Sequence, residues 1–178
     1  MLNSVIVVDD EASIRNAVEQ WLSLSGFDVQ LFSCAEDCLS QLPAHFAGVI
    51  VSDVRMPGMG GLALLNRLQQ LDPDLPVILL TGHGDVPMAV EAMRDGAYDF
   101  LEKPFSPEAL LSSLRRALEK RRLVLENRRL HEQADLRQQI DGRLLGMSRS
   151  LQTLRRQVME LAPLPVTLLI RSETGSGK

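Results

Sequence analysis

The sequence predicts a doubly wound α/β sandwich built on one five-stranded parallel sheet. Five short runs rich in Val, Ile and Leu alternate strictly with segments whose apolar residues recur every three to four positions, and the joints between them are short. An unbroken apolar run marks a strand covered on both faces, and the three-to-four spacing marks a helix with one inner stripe. Regular alternation of the two leaves parallel strands joined by helical crossovers.

Taken in order, Ser4–Val8 is the first strand, and Ile14, Val18, Trp21 and Leu22 form the inner face of a helix ended by Gly26. Asp28–Phe32 is the second strand, followed by a helix over Cys34–Leu42. Val49–Ser52 is the third, with a helix over Leu62–Leu71 closed by Pro73. Val77–Leu80 is the fourth; its helix, Pro87–Arg94, has proline in the first turn and Gly96 as its stop. Tyr98–Leu101 is the fifth strand. All five are read as buried.

From Ser106 the pattern changes. Ser106-Pro107-Glu108 is a helix start, and no breaker follows until Gly142. Such a helix runs about 50 Å, too long for a domain of this size to cover, so its distal half must pack on something else. One apolar seam passes through Leu123 and Leu130 with Asn127 and Ala134 between turns; another passes through Leu111, Leu118 and Leu125. Asn at a seam position favours paired parallel helices, so a dimeric coiled coil is expected, with its phase left open. Leu151, Leu154, Val158 and Leu161 then predict an amphipathic helix broken by Pro163 and Pro165, and Val166–Ile170 reads as a further strand. The expected organisation is a first domain over 1–120, a helical linker over 121–142, and the opening of another domain over 143–178.

A hydrophobic content of 45% with 24% charged residues is that of a soluble globular chain. No run approaches the roughly 20 apolar residues of a membrane span, and no basic stretch precedes an apolar one at the start, so a cytoplasmic protein is expected. Cys34 and Cys38 read as free thiols, with no Cys/His set that makes a metal site. Residues 1–105 carry 15 acidic and 5 basic side chains, a balance of −10; residues 106–178 carry 8 and 14, a balance of +6. The arginines of the basic part alternate with glutamates at helical spacing, which reads as a solvated helix face.

Sites in such sheets form at the carboxyl ends of the strands. Asp9 and Asp10 end the first strand, Asp53 the third and Thr81 the fourth, and Lys103 lies just beyond the fifth. Three carboxylates suit a hard cation such as Mg²⁺, and the amine supplies a counter-charge that limits their repulsion. Phosphorylating a carboxylate needs both. His83, in the loop after Thr81, reads as solvent-facing rather than catalytic.

These residues stand in four motifs, Val-Val-Asp9-Asp10-Glu11, Val-Ser-Asp53-Val-Arg-Met-Pro57-Gly-Met-Gly60, Leu-Thr81-Gly and Leu-Glu-Lys103-Pro104-Phe105. In order and spacing they resemble the receiver family of two-component response regulators, over about residues 1–120. The resemblance implies a flavodoxin-like receiver fold in which Asp53 attacks a phosphohistidine on a sensor histidine kinase. It implies direct Mg²⁺ binding by Asp10, the Asp53 carboxylate and the backbone carbonyl of Arg55, with Asp9 acting through water. It further implies that Thr81 bonds the phosphoryl group, that Phe100 turns inward as the switch aromatic, and that the Lys103–Pro104 bond is cis. Many relatives carry Tyr where Phe100 stands; without the hydroxyl, a hydrogen-bonded switch is not available.

Gly175-Ser176-Gly177-Lys178 after the last apolar run is the core of a Walker A loop, whose backbone amides and lysine cradle ATP phosphates. Ser172 stands where the complete pattern has glycine. The stretch from Leu145-Gly146 to Lys178 is similar to the opening of the AAA+ ATPase domain of sigma-54 activators. A receiver, a long helix and that ATPase are the layout of nitrogen-regulation and dicarboxylate-transport type transcription activators. In that layout a homodimer forms through the fifth helix and linker, ATP belongs to the intact parent protein, and sigma-54 RNA polymerase and DNA are met through domains beyond this chain. The residues present lack a Walker B strand, an arginine finger and a helix-turn-helix, so the chain as given is expected neither to hydrolyse ATP nor to open promoters. The alternatives are an aspartyl-phosphate hydrolase on a similar sheet, which needs a second Asp two residues beyond a first-strand nucleophile, and a flavin- or nucleotide-binding domain, whose phosphate loop the first-strand acids would repel.

Overall fold

The computed structural model describes residues 3–82, 86–143 and 149–161. The strands are β1 (Ser4–Val8), β2 (Asp28–Phe32), β3 (Val49–Asp53), β4 (Val77–Thr81) and β5 (Asp99–Glu102); the helices are α1 (Ala12–Leu24), α2 (Ala35–Gln41), α3 (Gly61–Leu71), α4 (Val86–Arg94), α5 (Pro107–Arg143) and α6 (Arg149–Leu161). All strand pairs are parallel, in the order β2-β1-β3-β4-β5. The expected fold class stands. β3 and β4 each extend one residue further than their apolar runs, because Asp53 pairs with Leu80 and Thr81 with Glu102.

The expectation of five buried strands needs correction at the edges. β3 and β4 are buried throughout, and β1 in four of its five residues, whereas β2 alternates and β5 leaves Phe100 and Glu102 exposed. An edge strand lacks a neighbour on one side, so its apolar residues are only partly covered.

Two apolar layers enclose the sheet. Ile6, Val8, Ile50 and Leu79 pack with Leu64, Leu65 and Leu68 of α3 on one face. Val5, Val7, Val51, Ile78 and Leu80 pack with Val18 and Leu22 of α1 and with Leu110, Leu114 and Leu118 of α5 on the other. A fully buried residue of this size contributes about 1.5–3 kcal/mol. α5 starts as expected, with the Ala109 amide donating to Ser106 Oγ at 3.2 Å.

Gly48, just before β3, has no room for a side chain: a Cβ there meets the Ser4 carbonyl oxygen at 2.0 Å. That neighbour is backbone of the adjacent strand and cannot turn aside. Gly48→Ala is expected to lower stability by about 3 kcal/mol, the upper end of the overpacking range. A urea titration checks this, with the midpoint falling and the slope unchanged.

The chain divides into two compact units, Met1–Glu126 and Asn127–Lys178, with α5 running through the division. Within the second unit, α6 carries the amphipathic pattern expected around Leu154 and Val158, and Leu154 is exposed. The expected strand Val166–Ile170 lies outside the described residues, as does His83.

Burial separates the two seams of α5. Leu118 is buried in the first unit's core and Leu111 packs against that core, while Leu123 and Leu130 are exposed. The seam through Leu111 and Leu118 is therefore used within the domain.

Candidate functional site

The carboxyl edge of the sheet gathers the acids. β1 and β3 are adjacent and in register, so their ends bring Asp9 and Asp53 together. Carboxylate oxygens of Asp9, Asp10 and Asp53 all lie within 4.8 Å of one another. Asp9 is fully buried and Asp53 nearly so, while Asp10 faces solvent. A fixed backbone orients the set. The Glu11 amide donates to Asp9 Oδ1 at 2.8 Å and the Arg55 amide to Asp53 Oδ1 at 3.4 Å. Arg15, one turn into α1, donates through Nη1 to the Asp9 carbonyl.

Lys103 closes the cluster. Its Nζ stands 2.8 Å from Asp9 Oδ2 and 2.9 Å from Asp53 Oδ2, with the side chain 18% exposed. Its backbone is held too, because the Lys103 amide donates to the Thr81 carbonyl at 2.7 Å. The Lys103–Pro104 bond is cis, as the resemblance implies. Burial pulls the Lys103 pKa down, but the hydrogen bonds its ammonium donates to Asp9 and Asp53 and their negative charges outweigh it, leaving it above 10.5. A folded-state pKa above the unfolded one gives stability that is complete below pH 10.5 and lost as pH rises through the folded value. In urea titrations across the alkaline range, wild type is expected to lose stability more steeply above pH 10.5 than Lys103→Met. Parallel curves would contradict the pairing.

Thr81 is buried at the end of β4, its hydroxyl donating to the Gly82 carbonyl at 3.1 Å. Phe100 lies on β5, opposite Leu79, with 40% of its surface exposed. The inward turn that the resemblance implies for Phe100 accompanies phosphorylation, so the exposed ring does not bear on it. Gly175, Gly177 and Lys178 lie outside the described residues.

Several supporting groups were not legible in the motifs. Glu36 of α2 accepts from the Met59 amide at 3.0 Å, pinning the loop after β3. Gly61 opens α3 against the site strand, where a Cβ would meet the Asp53 carbonyl oxygen at 2.2 Å. On α5, the buried Ser113 donates to Asp99 Oδ2 at 2.6 Å, while the Phe100 amide donates to Asp99 Oδ1 at 2.9 Å. These depend on proximity within the fold that no spacing rule reports.

The donor set fits a small divalent cation: three carboxylates, one of them open to water, with no soft ligand among them. Asp9 is fully buried, and the Lys103 ammonium at 2.8 Å offsets its charge.

A parallel 2-1-3-4-5 sheet with this cluster at its carboxyl edge defines a phosphoacceptor signalling module rather than a nucleotide-binding one. The family model described as the response regulator receiver domain matches residues 5–115, and the chain belongs to that family. It is 50% identical over 175 residues to the C4-dicarboxylate transport transcriptional regulatory protein DctD of Rhizobium meliloti, covering 98% of this chain and 38% of that one. It is 34% identical over 177 residues to the DNA-binding transcriptional regulator NtrC of Escherichia coli, covering 98% and 36%. Among solved structures, the crystal structure of FixJ-N aligns with a TM-score of 0.61 at 46% identity, over 65% of this chain and 93% of that one. NtrX from Brucella abortus in complex with ADP aligns with a TM-score of 0.65 at 34% identity, over 92% and 35%. The chain spans less than two fifths of the length of DctD and NtrC. No helix among the described residues is long and apolar enough to cross a membrane.

Proposed function

We propose that Asp53 is the phosphoacceptor of this receiver and that its phosphorylation controls a sigma-54 activator ATPase in a longer regulator. The observation that carries the reading is the Lys103 ammonium bridging Asp9 and Asp53 at 2.8 and 2.9 Å beside the exposed Asp10. That arrangement holds a nucleophilic carboxylate, a cation site and a counter-ion for the product on one sheet edge.

In the reaction, an Asp53 carboxylate oxygen forms a bond to the phosphorus of a phosphohistidine presented by a sensor histidine kinase. The phosphorus–nitrogen bond breaks and its electron pair stays on the imidazole nitrogen; with the other ring nitrogen already carrying a proton, the ring leaves as neutral imidazole. Asp9, Asp10, the Asp53 carboxylate and the Arg55 carbonyl would hold Mg²⁺, which when bound neutralises phosphoryl oxygens. Lys103 exchanges its bond to Asp53 Oδ2 for one to a phosphoryl oxygen, keeping its bond to Asp9. The Thr81 hydroxyl leaves the Gly82 carbonyl to donate to the phosphoryl group, and Phe100 moves from its exposed position into the space this vacates. This is a two-state element biased by a local charge.

The receiver is an acceptor of phosphoryl groups and not an enzyme acting on other substrates. Leu123 and Leu130, exposed on α5, supply the seam for a homodimer, with 121–142 as linker and 143–178 as the start of the ATPase domain. The 50% identity with DctD along nearly the whole chain supports this layout, in which Gly175, Gly177 and Lys178 would hold ATP phosphates in the intact protein. Sigma-54 RNA polymerase and DNA would be met by parts beyond this chain, in the cytoplasm.

The test is incubation with acetyl phosphate, with Mg²⁺ or with EDTA, followed by intact-mass measurement. One phosphoryl increment is expected with Mg²⁺ and essentially none with EDTA. Equal incorporation in both would refute the role given to the cation site.

A further inference from the structure

Arg121 stands in the middle of a Lys-Arg-Arg run on α5, yet its side chain is fully buried. Its Nε and Nη2 both donate to the Phe46 carbonyl, at 3.1 and 2.5 Å, and Nη2 also pairs with Asp72 Oδ2 at 2.7 Å. Phe46 lies in the loop before β3, and Asp72 caps the C-terminus of α3, with its amide donating to Leu68 and its Oδ1 accepting from Asp74. The guanidinium thus reaches from the α1/α5 layer to the α2/α3 layer beneath the amino edge of the sheet. Asp53 lies at the opposite end of β3, about 13 Å from Val49 along the strand.

We propose that Arg121 is a latch that fixes the register of α5 on the receiver, so that a change at the phosphorylation site passes into residues 127–143 and is not absorbed by sliding or fraying of the helix. The chemistry favours a positional over a purely stabilising role. A buried charge costs desolvation, and here Nη1 has no hydrogen-bond partner among the described residues. An apolar side chain of similar volume would fill the space without that cost. What the planar fork adds is geometry: two N–H groups aimed at one carbonyl and one shared with a carboxylate admit a single helix position. Among the residues of α5 whose burial is described, Arg121 is also the last fully buried one, and the helix then continues unbroken to Arg143. Apolar contacts at Leu114 and Leu118 alone would tolerate small displacements; the fork does not.

The inference takes phosphorylation of Asp53 as its input, and the test reads the two separately. Amide hydrogen exchange is measured by mass spectrometry on the full chain, with and without beryllofluoride and Mg²⁺ as phosphoryl mimic, for wild type, Arg121→Met, Arg121→Lys and Asp72→Asn. Labelling by acetyl phosphate is measured in parallel. In wild type, beryllofluoride is expected to change exchange in 127–143. Arg121→Met should label at a rate within about twofold of wild type, while residues 115–126 exchange about tenfold faster and the response of 127–143 disappears. Arg121→Lys should restore only part of that response, since a point charge lacks the fork. Asp72→Asn keeps the Phe46 bonds and removes the ion pair, so it provides an intermediate case if Arg121→Met does not fold. An intact response of 127–143 in Arg121→Met, or in Asp72→Asn where the first is unfolded, overturns the latch. A wild type that labels yet shows no response in 127–143 overturns it as well. A wild type that does not label overturns instead the role given to Asp53.

Discussion

Asp53→Asn is expected to reduce phosphoryl incorporation from acetyl phosphate by on the order of a thousandfold or more, because an amide oxygen cannot replace the carboxylate nucleophile. The substitution is nearly isosteric. It leaves the Lys103–Asp9 bond of 2.8 Å in place and removes one of two neighbouring negative charges, so the fold should survive. The same variant loses one of three carboxylates at the cation site and should bind Mg²⁺ about tenfold more weakly, a loss of about 1.4 kcal/mol. Intact-mass measurement reads the first effect, and a fluorescence or calorimetric Mg²⁺ titration reads the second. Incorporation at the wild-type level would place the acceptor elsewhere.

Lys103→Met has the second large effect, with opposite signs on two measurements. It leaves the fully buried Asp9 and the nearly buried Asp53 without their shared counter-ion. Without metal, stability should fall by about 3 kcal/mol, the lower end for breaking a buried pair, since Lys103 keeps 18% exposure and water can reach part of the site. Mg²⁺ affinity should rise, because a competing positive charge beside the same carboxylates is gone. Added Mg²⁺ should therefore recover much of the lost stability through linkage. Urea unfolding at several Mg²⁺ concentrations checks both. A variant as stable as wild type without metal, or one that Mg²⁺ does not rescue, would remove Lys103 from the role assigned to it.

The sheet was readable because each central strand is apolar along its whole length. β3 and β4 could be read as strands from Val49–Ser52 and Val77–Leu80 alone, although the pairing of Asp53 and Thr81 extends each by a residue. The fifth strand shifts by one residue, from Tyr98–Leu101 to Asp99–Glu102, since ladder pairing with β4 sets its bounds more than hydrophobicity does. The acid cluster was readable for a topological reason: strands in a parallel sheet all end at the same edge, so an acid after β1, one at the end of β3 and a lysine after β5 must meet there.

What escaped is polar and joins residues distant in the sequence. Arg121 sits between Lys120 and Arg122, and a basic run on a helix reads as solvated; only its geometry shows it beneath the sheet, bonded to Phe46 and Asp72. The two seams of α5 are equivalent in sequence, and only packing reveals that Leu118 belongs to the domain core while Leu123 and Leu130 are exposed. The link from the Phe100 amide through Asp99 to Ser113 joins the switch strand to α5 by side chains with no motif of their own.

The most direct measurement is chemical mapping of the modified residue. After incubation with acetyl phosphate and Mg²⁺, borohydride reduces an acyl phosphate on aspartate to the alcohol of homoserine, which peptide mass spectrometry locates. Homoserine at position 53, with Asp9 and Asp10 unaltered, is the predicted result. Homoserine at either of those two positions, or a phosphate that borohydride does not displace, would contradict an aspartyl phosphate at Asp53.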